Sequence, residues 1–322
     1  MKFLPGPREN TAVIEPESFE APIRVDGISP EVMAGLFRGS NAARSHWHPP
    51  LEITAGLTGA DDVATGEPYE KDLPDGRGIL HTGAPGSVRI ETHHRLAGDM
   101  LQPQSLYLLL AQQWARAGLM LVHGAAFELD GVGVLALGDK GAGKSVLTAA
   151  ALAAGARVVS DDWVMVGLDG DGRLEAERLR EFLMLRHGQA CDRLMDALPN
   201  LRPAPLANRP KTVFHIGDQP ESVRRQFITT CSVDRIWLLK RPSSGRFQPS
   251  ARTPASPVQA LSALIQATMP LLFSGRFAHE SAELRKTTDA ASSGDRSGSR
   301  LSTVRTGPDL LDQPETVLAA LL

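Results

Sequence analysis

Apolar positions in the second half of the chain recur with two different periods, and each period predicts one class of element. Leucine and tryptophan side chains between residues 104 and 118 follow a helical period, and Gly118 fits the C-cap of that helix. Continuous apolar runs bounded by turn residues predict buried strands at 119–123, 127–129, 132–137 and 157–160. Asp130-Gly131 is a tight-turn pair between the second and third of these runs. An Ala-rich stretch predicts a helix over 144–154 that ends at Gly155, so the chain alternates strands with helices as an α/β protein does.

The pattern continues more weakly towards both ends of the chain. Further predicted elements are helices at 190–198, 257–272 and 314–322 and strands at 211–216, 235–240 and 301–305. Residues 177–186 fit neither period, and residues 286–300 contain no apolar side chain except alanine, which predicts a mobile loop. The N-terminal part is rich in Pro, Gly and charge, with short alternating runs such as 87–91 that are typical of short strands. We therefore expect a smaller β-rich region over 1–100 and an α/β domain over 101–322.

Composition and charge narrow the class of protein without choosing a function. The 322 residues include 34 Lys+Arg and 37 Asp+Glu, a formal net charge of −3, and 42% of them are apolar, which indicates a globular protein. Because a near-neutral chain has no global basic footprint, we expect neither a nucleic acid nor a membrane as partner. Cys191 and Cys231 are too few for a disulfide framework or a zinc site. The first residues do not resemble a secretory signal, and no apolar run approaches the roughly 18 residues of a membrane span, so the expected location is cytoplasmic.

The segment 138–145 matches the phosphate-binding pattern G-x-x-x-x-G-K-[ST] in its required setting, after a buried strand and before a helix. Glycines let the backbone curl so that successive N–H groups point at phosphate oxygens, and the helix N-terminus adds its positive end. Every residue of the segment is a candidate nucleotide contact, namely Gly138, Asp139, Lys140, Gly141, Ala142, Gly143, Lys144 and Ser145. Lys144 is expected to bridge the β- and γ-phosphates of ATP, and the Ser145 hydroxyl is expected to bind Mg²⁺.

Two acidic residues, Asp161 and Asp162, end the strand that follows this helix. Adjacent parallel strands place their C-terminal ends at one edge of a sheet, so we expect the pair to face the γ-phosphate. One carboxylate could hold the metal while the other accepts the proton of an attacking hydroxyl; the competing interpretation is a pair of turn or capping residues. His123, on the predicted strand 119–123, also has two interpretations, a functional residue or a core residue. A lone histidine on an apolar strand is often a core residue.

These features occur together in a recognisable order. The chain resembles the catalytic domain of the HPr kinase/phosphorylase family, and most of all its related serine kinase group. The resemblance lies in four segments and their order: His123-Gly124, Gly131-Val132-Gly133-Val134-Leu135, the loop 138–145, and Val159-Ser160-Asp161-Asp162. The resemblance is strong over about residues 105–165. It implies a P-loop kinase fold akin to phosphoenolpyruvate carboxykinase, with ATP and Mg²⁺ as cofactors. It also implies a serine hydroxyl of a protein or peptide as acceptor.

The resemblance further implies a role for each matched residue. Asp161 would be the general base toward the acceptor hydroxyl, assisted by His123. Lys144 would bind phosphate, while Ser145 and Asp162 would bind the metal. A homo-oligomer would be in keeping with this resemblance, and the N-terminal 100 residues are the expected place for acceptor recognition or assembly.

The chain also departs from the bifunctional members of that family. Those enzymes usually carry Ser where this chain has Lys140 and Glu where it has Val146, and their Glu-x-Arg-Gly signature is absent here. The charged residues of 175–186, among them Arg178 and Arg180, are most simply a solvated face. Our hypothesis is an ATP-dependent kinase acting on a hydroxyl. Three alternatives stay open: a small-molecule kinase, a nucleotide-binding regulatory or scaffold protein without phosphotransfer, and a simple ATPase.

Overall fold

The computed structural model of the chain describes residues 2–6, 11–19, 22–26, 29–38, 51–57, 68–73, 76–81, 86–91, 110–111, 113–115, 117–205, 210–240, 249–272, 289 and 301–322. The chain divides into two compact units. The first consists of Met1–Met120 and Leu271–Leu284, and the second of Leu121–Pro270 and Arg285–Leu322. The domain boundary expected near residue 100 stays a prediction, because residues 92–109 lie outside the described ranges. Within those ranges, no helix is long and apolar enough to cross a membrane.

The first unit is built on an antiparallel sheet. Its described strands are β1 (Lys2–Pro5), β2 (Thr11–Glu15), β3 (Ile23–Asp26), β4 (Leu51–Leu57), β5 (Pro68–Leu73), β6 (Gly76–His81) and β7 (Gly86–Glu91). They pair in the order β1-β2-β3-β4-β7-β6-β5, and every neighbouring pair is antiparallel. Helix α1 (Pro30–Arg38) contacts β1 and β2. It buries Met33 and Phe37, which lie four residues apart on one face of the helix.

The second unit is a mixed α/β structure. Its strands are β8 (Met120–Leu129), β9 (Val132–Leu137), β10 (Arg157–Ser160), β11 (Trp163–Leu168), β12 (Leu174–Arg178), β13 (Phe182–Arg186), β14 (Ala204–Pro205), β15 (Lys211–His215), β16 (Thr230–Ser232), β17 (Arg235–Lys240), β18 (Ala251–Pro254) and β19 (Leu301–Arg305). The described part of the central sheet has nine strands, in the order β16-β12-β11-β8-β9-β17-β19-β18 with β10 also paired to β8. The other three strands form a small sheet in the order β13-β15-β14.

Four helices of the second unit confirm predictions from the sequence pattern, at 144–154, 190–198, 257–272 and 314–322, whereas its two four-residue helices are not expected from that pattern. The described α-helices are α2 (Lys144–Ala153), α3 (Gln189–Ala197), α4 (Glu221–Arg224), α5 (Pro257–Leu272), α6 (Asp309–Asp312) and α7 (Pro314–Leu321). The predicted end of α2 at Gly155 is also confirmed, since this glycine has a φ of +83° that other residues rarely adopt. Residues 177–186, which fitted neither period, contain the end of β12 and all of β13. The predicted mobile loop at 286–300 lies outside the described residues, apart from Asp289.

Strand β8 is continuous, so the prediction of two separate strands at 119–123 and 127–129 is wrong. Gly124 lies in the middle of the strand and is paired with Leu137 on β9. A Cβ at Gly124 would lie 3.1 Å from the carbonyl oxygen of Ala136. The glycine therefore serves a close approach of two strands rather than a turn.

The directions of the strands decide where their C-terminal ends lie in the central sheet. Strands β9 and β10 run the same way, because each pairs antiparallel with β8, which lies between them. Strand β17 is parallel to both β9 and β19. The C-terminal ends of β9, β10, β17 and β19 thus point the same way, and those of β9 and β10 lie beside the middle of β8, at Gly124 and Ala126. The expectation that β9 and β10 are adjacent is wrong in this respect, since β8 separates them.

Helix α2 is fixed against this sheet by apolar packing. It contacts α3, α7 and β10, and its Leu147 and Leu152 side chains have no exposed surface. Burying a leucine of this kind stabilises a fold by about 1.5–3 kcal/mol. On β8 and β17, the rings of Phe127 and Trp237 pack edge to face with centroids 6.0 Å apart. The start of α2 is therefore held in a fixed position beside the end of β9.

Candidate active site

The loop between β9 and α2 is curled by glycines at positions that other residues do not tolerate. Gly141 and Gly143 have φ values of +85° and +105°. The N–H of Ala142 donates a hydrogen bond to the carbonyl oxygen of Asp139, 3.0 Å away, which closes the turn. A Cβ at Gly138 would lie 2.9 Å from the carbonyl oxygen of Leu239. Both the backbone angles and the space therefore require glycine in this loop.

Lys144, the first residue of α2, is folded into this loop. It is 6% exposed, and its Nζ donates hydrogen bonds to the carbonyl oxygens of Gly138 at 2.6 Å and Asp139 at 3.3 Å. Burial lowers the pKa of its ammonium group, while the nearby charges of Asp162, Asp139 and Asp161 act in the opposite direction. The cation thus sits within the loop, where it can exchange carbonyl partners for phosphate oxygens.

The remaining candidate residues of the loop differ in exposure. Asp139 and Lys140 are exposed at the crown, whereas Ala142 is buried and packs toward the core. Ser145 is half-buried in the first turn of α2. The structure therefore brings Lys144 and Ser145 to the inner side of the loop and leaves Lys140 on its outer side.

Asp161 and Asp162 occupy the bend between β10 and β11. Ser160 stabilises this bend, because its Oγ donates a hydrogen bond to the carbonyl oxygen of Trp163 at 2.8 Å and accepts a weaker one from the N–H of Asp162 at 3.4 Å. A serine hydroxyl commonly holds a turn in this way. The two carboxylates are consequently used for other contacts, which argues against the interpretation of the pair as simple turn residues.

Asp162 is the centre of an ionic cluster. Its Oδ1 lies 2.8 Å from Nε2 of His123, and its Oδ2 lies 2.5 Å from Nη1 of Arg180. Burial by itself would raise the pKa of Asp162, but Arg180 and His123, with a further contribution from Lys144, hold this pKa well below its usual range. Asp162 is thus a carboxylate whose ionised form is favoured by its neighbours.

Asp161 has the opposite electrostatic character. It is 4% exposed, and its Oδ2 accepts a hydrogen bond from the backbone N–H of Met184 at 3.2 Å. Burial, followed by the charge of Asp162, raises the pKa of Asp161 to about 7. Two neighbouring carboxyl groups with pKa values pushed apart can take different roles in acid–base chemistry.

His123 reaches this cluster from β8, the strand that separates β9 from β10. Its ring lies 5.0 Å from the ring of Trp163, and its side chain is 30% exposed, so it is not a fully buried core residue. The hydrogen bond that the structure describes for His123 goes to Asp162. The role that the resemblance implies for His123, assistance to Asp161, stays a prediction.

Arg180 is a site residue that the sequence did not reveal. The expected solvated face at 175–186 is wrong for Arg178 and Arg180, because each side chain is only 11% exposed. Arg180 lies in the connection between β12 and β13, with its guanidinium 5.3 Å from the centre of the Phe182 ring. Buried apolar residues flank it at Leu179 and Phe182, and these are the signal that could have marked the segment as inward-facing.

Comparisons with known proteins add little to this geometry. No protein-family model matches the chain, and no curated protein matches it. Among solved structures, the HPr(Ser) kinase/phosphatase from Coxiella burnetii is similar with a TM-score of 0.32 and 12% identity, covering 62% of this chain and 94% of that chain. A TM-score this low shows neither a shared fold nor a shared function. The chemistry of the site has to be judged from its own residues.

Proposed function

We propose that this protein is an ATP- and Mg²⁺-dependent kinase that transfers a phosphoryl group to a hydroxyl. The observation that carries the proposal is the juxtaposition of Lys144 and Asp162. Lys144 follows β9 and Asp162 follows β10, and the last residues of these two strands pair with neighbouring positions of β8, Leu137 with Gly124 and Ser160 with Ala126. In keeping with this placement, the charge of Asp162 acts to raise the pKa of Lys144. Phosphoryl transfer relies on a phosphate cradle, a metal-binding carboxylate and a group that receives a proton. The sequence resemblance to serine kinases supports a serine of a protein or peptide as the acceptor.

The phosphates of ATP would bind within 138–145. The curled backbone of the loop offers N–H groups at the start of α2, where the helix dipole favours negative charge. Lys144 would exchange its bonds to the carbonyl oxygens of Gly138 and Asp139 for bonds to the β- and γ-phosphates. This exchange would place its charge where negative charge accumulates during transfer.

Ser145 and Asp162 would hold Mg²⁺. Asp162 fits a metal ligand, because Arg180 and His123 hold its pKa below the usual range and so keep the carboxylate ionised. Magnesium in proteins commonly uses one or two carboxylates and completes its shell with phosphates and water, so one carboxylate and one hydroxyl of the protein would suffice. Bound there, the ion would neutralise charge on the β- and γ-phosphates.

In the proposed reaction the acceptor oxygen forms a bond to the γ-phosphorus. The bond from that phosphorus to the oxygen bridging to the β-phosphate breaks, and ADP leaves. Asp161 takes the proton of the acceptor hydroxyl, for which a pKa of about 7 is well suited. His123 would assist through Asp162, whose orientation it fixes. Asp162, which exposes 22% of its side chain, is the alternative base, and the variants below separate the two assignments.

The test is transfer of label from γ-labelled ATP with Mg²⁺ to a degenerate serine-peptide library and to free hydroxyl compounds. Wild type is compared with K144M, D161N and D162N, and with D171N as a control, since Asp171 is an exposed loop residue. We expect labelled acceptor with wild type and D171N only. If D161N retains transfer and D162N abolishes it while still binding ATP with Mg²⁺, Asp162 is the base. Phosphate release without any labelled acceptor would indicate an ATPase, and ATP binding without either would indicate a nucleotide-binding switch.

A further inference from the structure

Resting on the proposed function, we propose that Arg180 is a catalytic residue. Its guanidinium would leave Asp162 when ATP and Mg²⁺ bind, and it would then contact the oxygens of the phosphoryl group in transfer. The motif 138–145 contains no arginine, and the resemblance assigns this residue no role. Its role follows from where the connection between β12 and β13 places it.

The first argument is competition for the same oxygens. Nη1 of Arg180 lies 2.5 Å from Oδ2 of Asp162, and His123 takes Oδ1. A metal ion on Asp162 would bring two positive charges against this guanidinium. Because like charges at contact distance repel, a metal bound to Asp162 would favour release of Arg180.

The second argument is that Arg180 has little room to leave the site. Its side chain is only 11% exposed, and its guanidinium lies 5.3 Å from the centre of the Phe182 ring. Such ring contacts hold a guanidinium at its face while leaving the N–H edge for hydrogen bonds. A released Arg180 therefore stays close to Asp162 and Phe182 instead of swinging into solvent.

The third argument is chemical. Negative charge spreads over the equatorial oxygens of the phosphoryl group during transfer, and an arginine is the side chain best matched to planar, bidentate contact with these oxygens. Lys144 supplies a single point charge from the loop side. Arg180 would approach from the side of Asp162, which it contacts.

The test compares R180Q and R180K with R178Q. Arg178 is a matched control, because it is equally buried, lies two residues away and donates a hydrogen bond to the carbonyl oxygen of Ile228 instead of Asp162. Three quantities are measured for each variant: kcat, the Kd for ATP with Mg²⁺, and the Kd for ADP with Mg²⁺ and aluminium fluoride, which imitates the planar phosphoryl group. The melting temperature reports folding in every case.

We expect R180Q to lower kcat about 100- to 1,000-fold and to weaken the aluminium fluoride complex by a similar factor, with the Kd for ATP changed less than about threefold. R180K should recover part of both losses, and R178Q should change neither beyond what its melting temperature explains. The inference is overturned if R180Q weakens ATP and the aluminium fluoride complex equally, or if it behaves like R178Q. A wild-type protein that does not bind ATP at all would instead reject the proposed function itself.

Discussion

Nε2 of His123 lies 2.8 Å from Oδ1 of Asp162, and this contact joins β8 to the bend that follows β10. The imidazole also packs at 5.0 Å against the ring of Trp163, the next residue along the chain. Contacts to two consecutive residues fix the orientation of the imidazole. The position of the Asp162 carboxylate therefore depends on a strand that lies outside the phosphate-loop motif.

Replacing His123 tests whether this hydrogen bond positions Asp162. H123L removes the donor, whereas H123Q keeps an N–H at a similar reach. We expect H123L to lower kcat about 10- to 100-fold, the usual cost of losing a residue that orients a metal ligand, with KM for ATP almost unchanged. H123Q should retain most of the rate. Equal losses in both variants would mean that the hydrogen bond is not what His123 contributes.

Replacing Lys144 tests the phosphate loop. K144M removes the ammonium group that now bonds to Gly138 and Asp139, so we expect the Kd for ATP to rise at least about tenfold, equivalent to about 1.4 kcal/mol. K140M is the comparison, because Lys140 lies exposed on the same loop and should change the Kd by no more than a few fold. Isothermal titration of ATP with Mg²⁺ measures both. Similar effects of the two variants would contradict the inward role of Lys144.

The buried carboxyl of Asp161 predicts a pH-dependent stability difference. Its pKa is raised to about 7 in the folded protein, chiefly by burial, from an unfolded value of about 4. The stability that this group contributes is therefore full below about pH 4 and is lost as the pH rises to about 7. D161N cannot ionise, and its amide oxygen can still accept the N–H of Met184. Relative to wild type, its free energy of unfolding should rise by roughly 2–4 kcal/mol between pH 4 and pH 8.

Urea denaturation over this pH range measures that difference. D171N, which alters an exposed carboxylate, should show a nearly constant difference from wild type. A constant difference for D161N as well would show that Asp161 ionises normally in the folded protein.

Replacing Gly143 with alanine is expected to lower the stability of the protein and to weaken ATP binding. Its φ is +105°, and a Cβ would lie 3.0 Å from Oγ1 of Thr306 in the segment after β19. We expect G143A to lower the free energy of unfolding by about 1–3 kcal/mol and to weaken ATP binding. G170A is the control, since a Cβ at Gly170 meets no atom within 4 Å. A G143A variant as stable as G170A would contradict the strained geometry assigned to the loop.

The sequence predicted those parts of the site that are contiguous in the chain. The loop 138–145 and the pair Asp161-Asp162 are short motifs that follow strands, so their place at a sheet edge follows from the order of elements. The insertion of β8 between β9 and β10 could not be predicted this way, because strand order depends on long-range pairing. For that reason the sequence could not show that the hydrogen bond of His123 goes to Asp162.

The sequence could not identify Arg180 as a site residue, for a related reason. A stretch rich in Arg and Glu is usually solvated, and only tertiary packing decides which charges turn inward. Here Glu177 is fully buried and Arg180 is 11% exposed, because the chain crosses from the central sheet at β12 to the small sheet at β13. The periodicity of a few residues cannot show such a crossing.

The Mg²⁺ dependence of ATP binding tests the central claim most directly, because it needs no knowledge of the acceptor. Isothermal titration of ATP with and without Mg²⁺ is carried out on wild type, K144M and D162N. Mg²⁺ should strengthen ATP binding to wild type, K144M should weaken binding in both conditions, and D162N should bind ATP with little dependence on Mg²⁺. ATP binding to wild type that is absent, or that is indifferent to both Mg²⁺ and Asp162, would contradict the account.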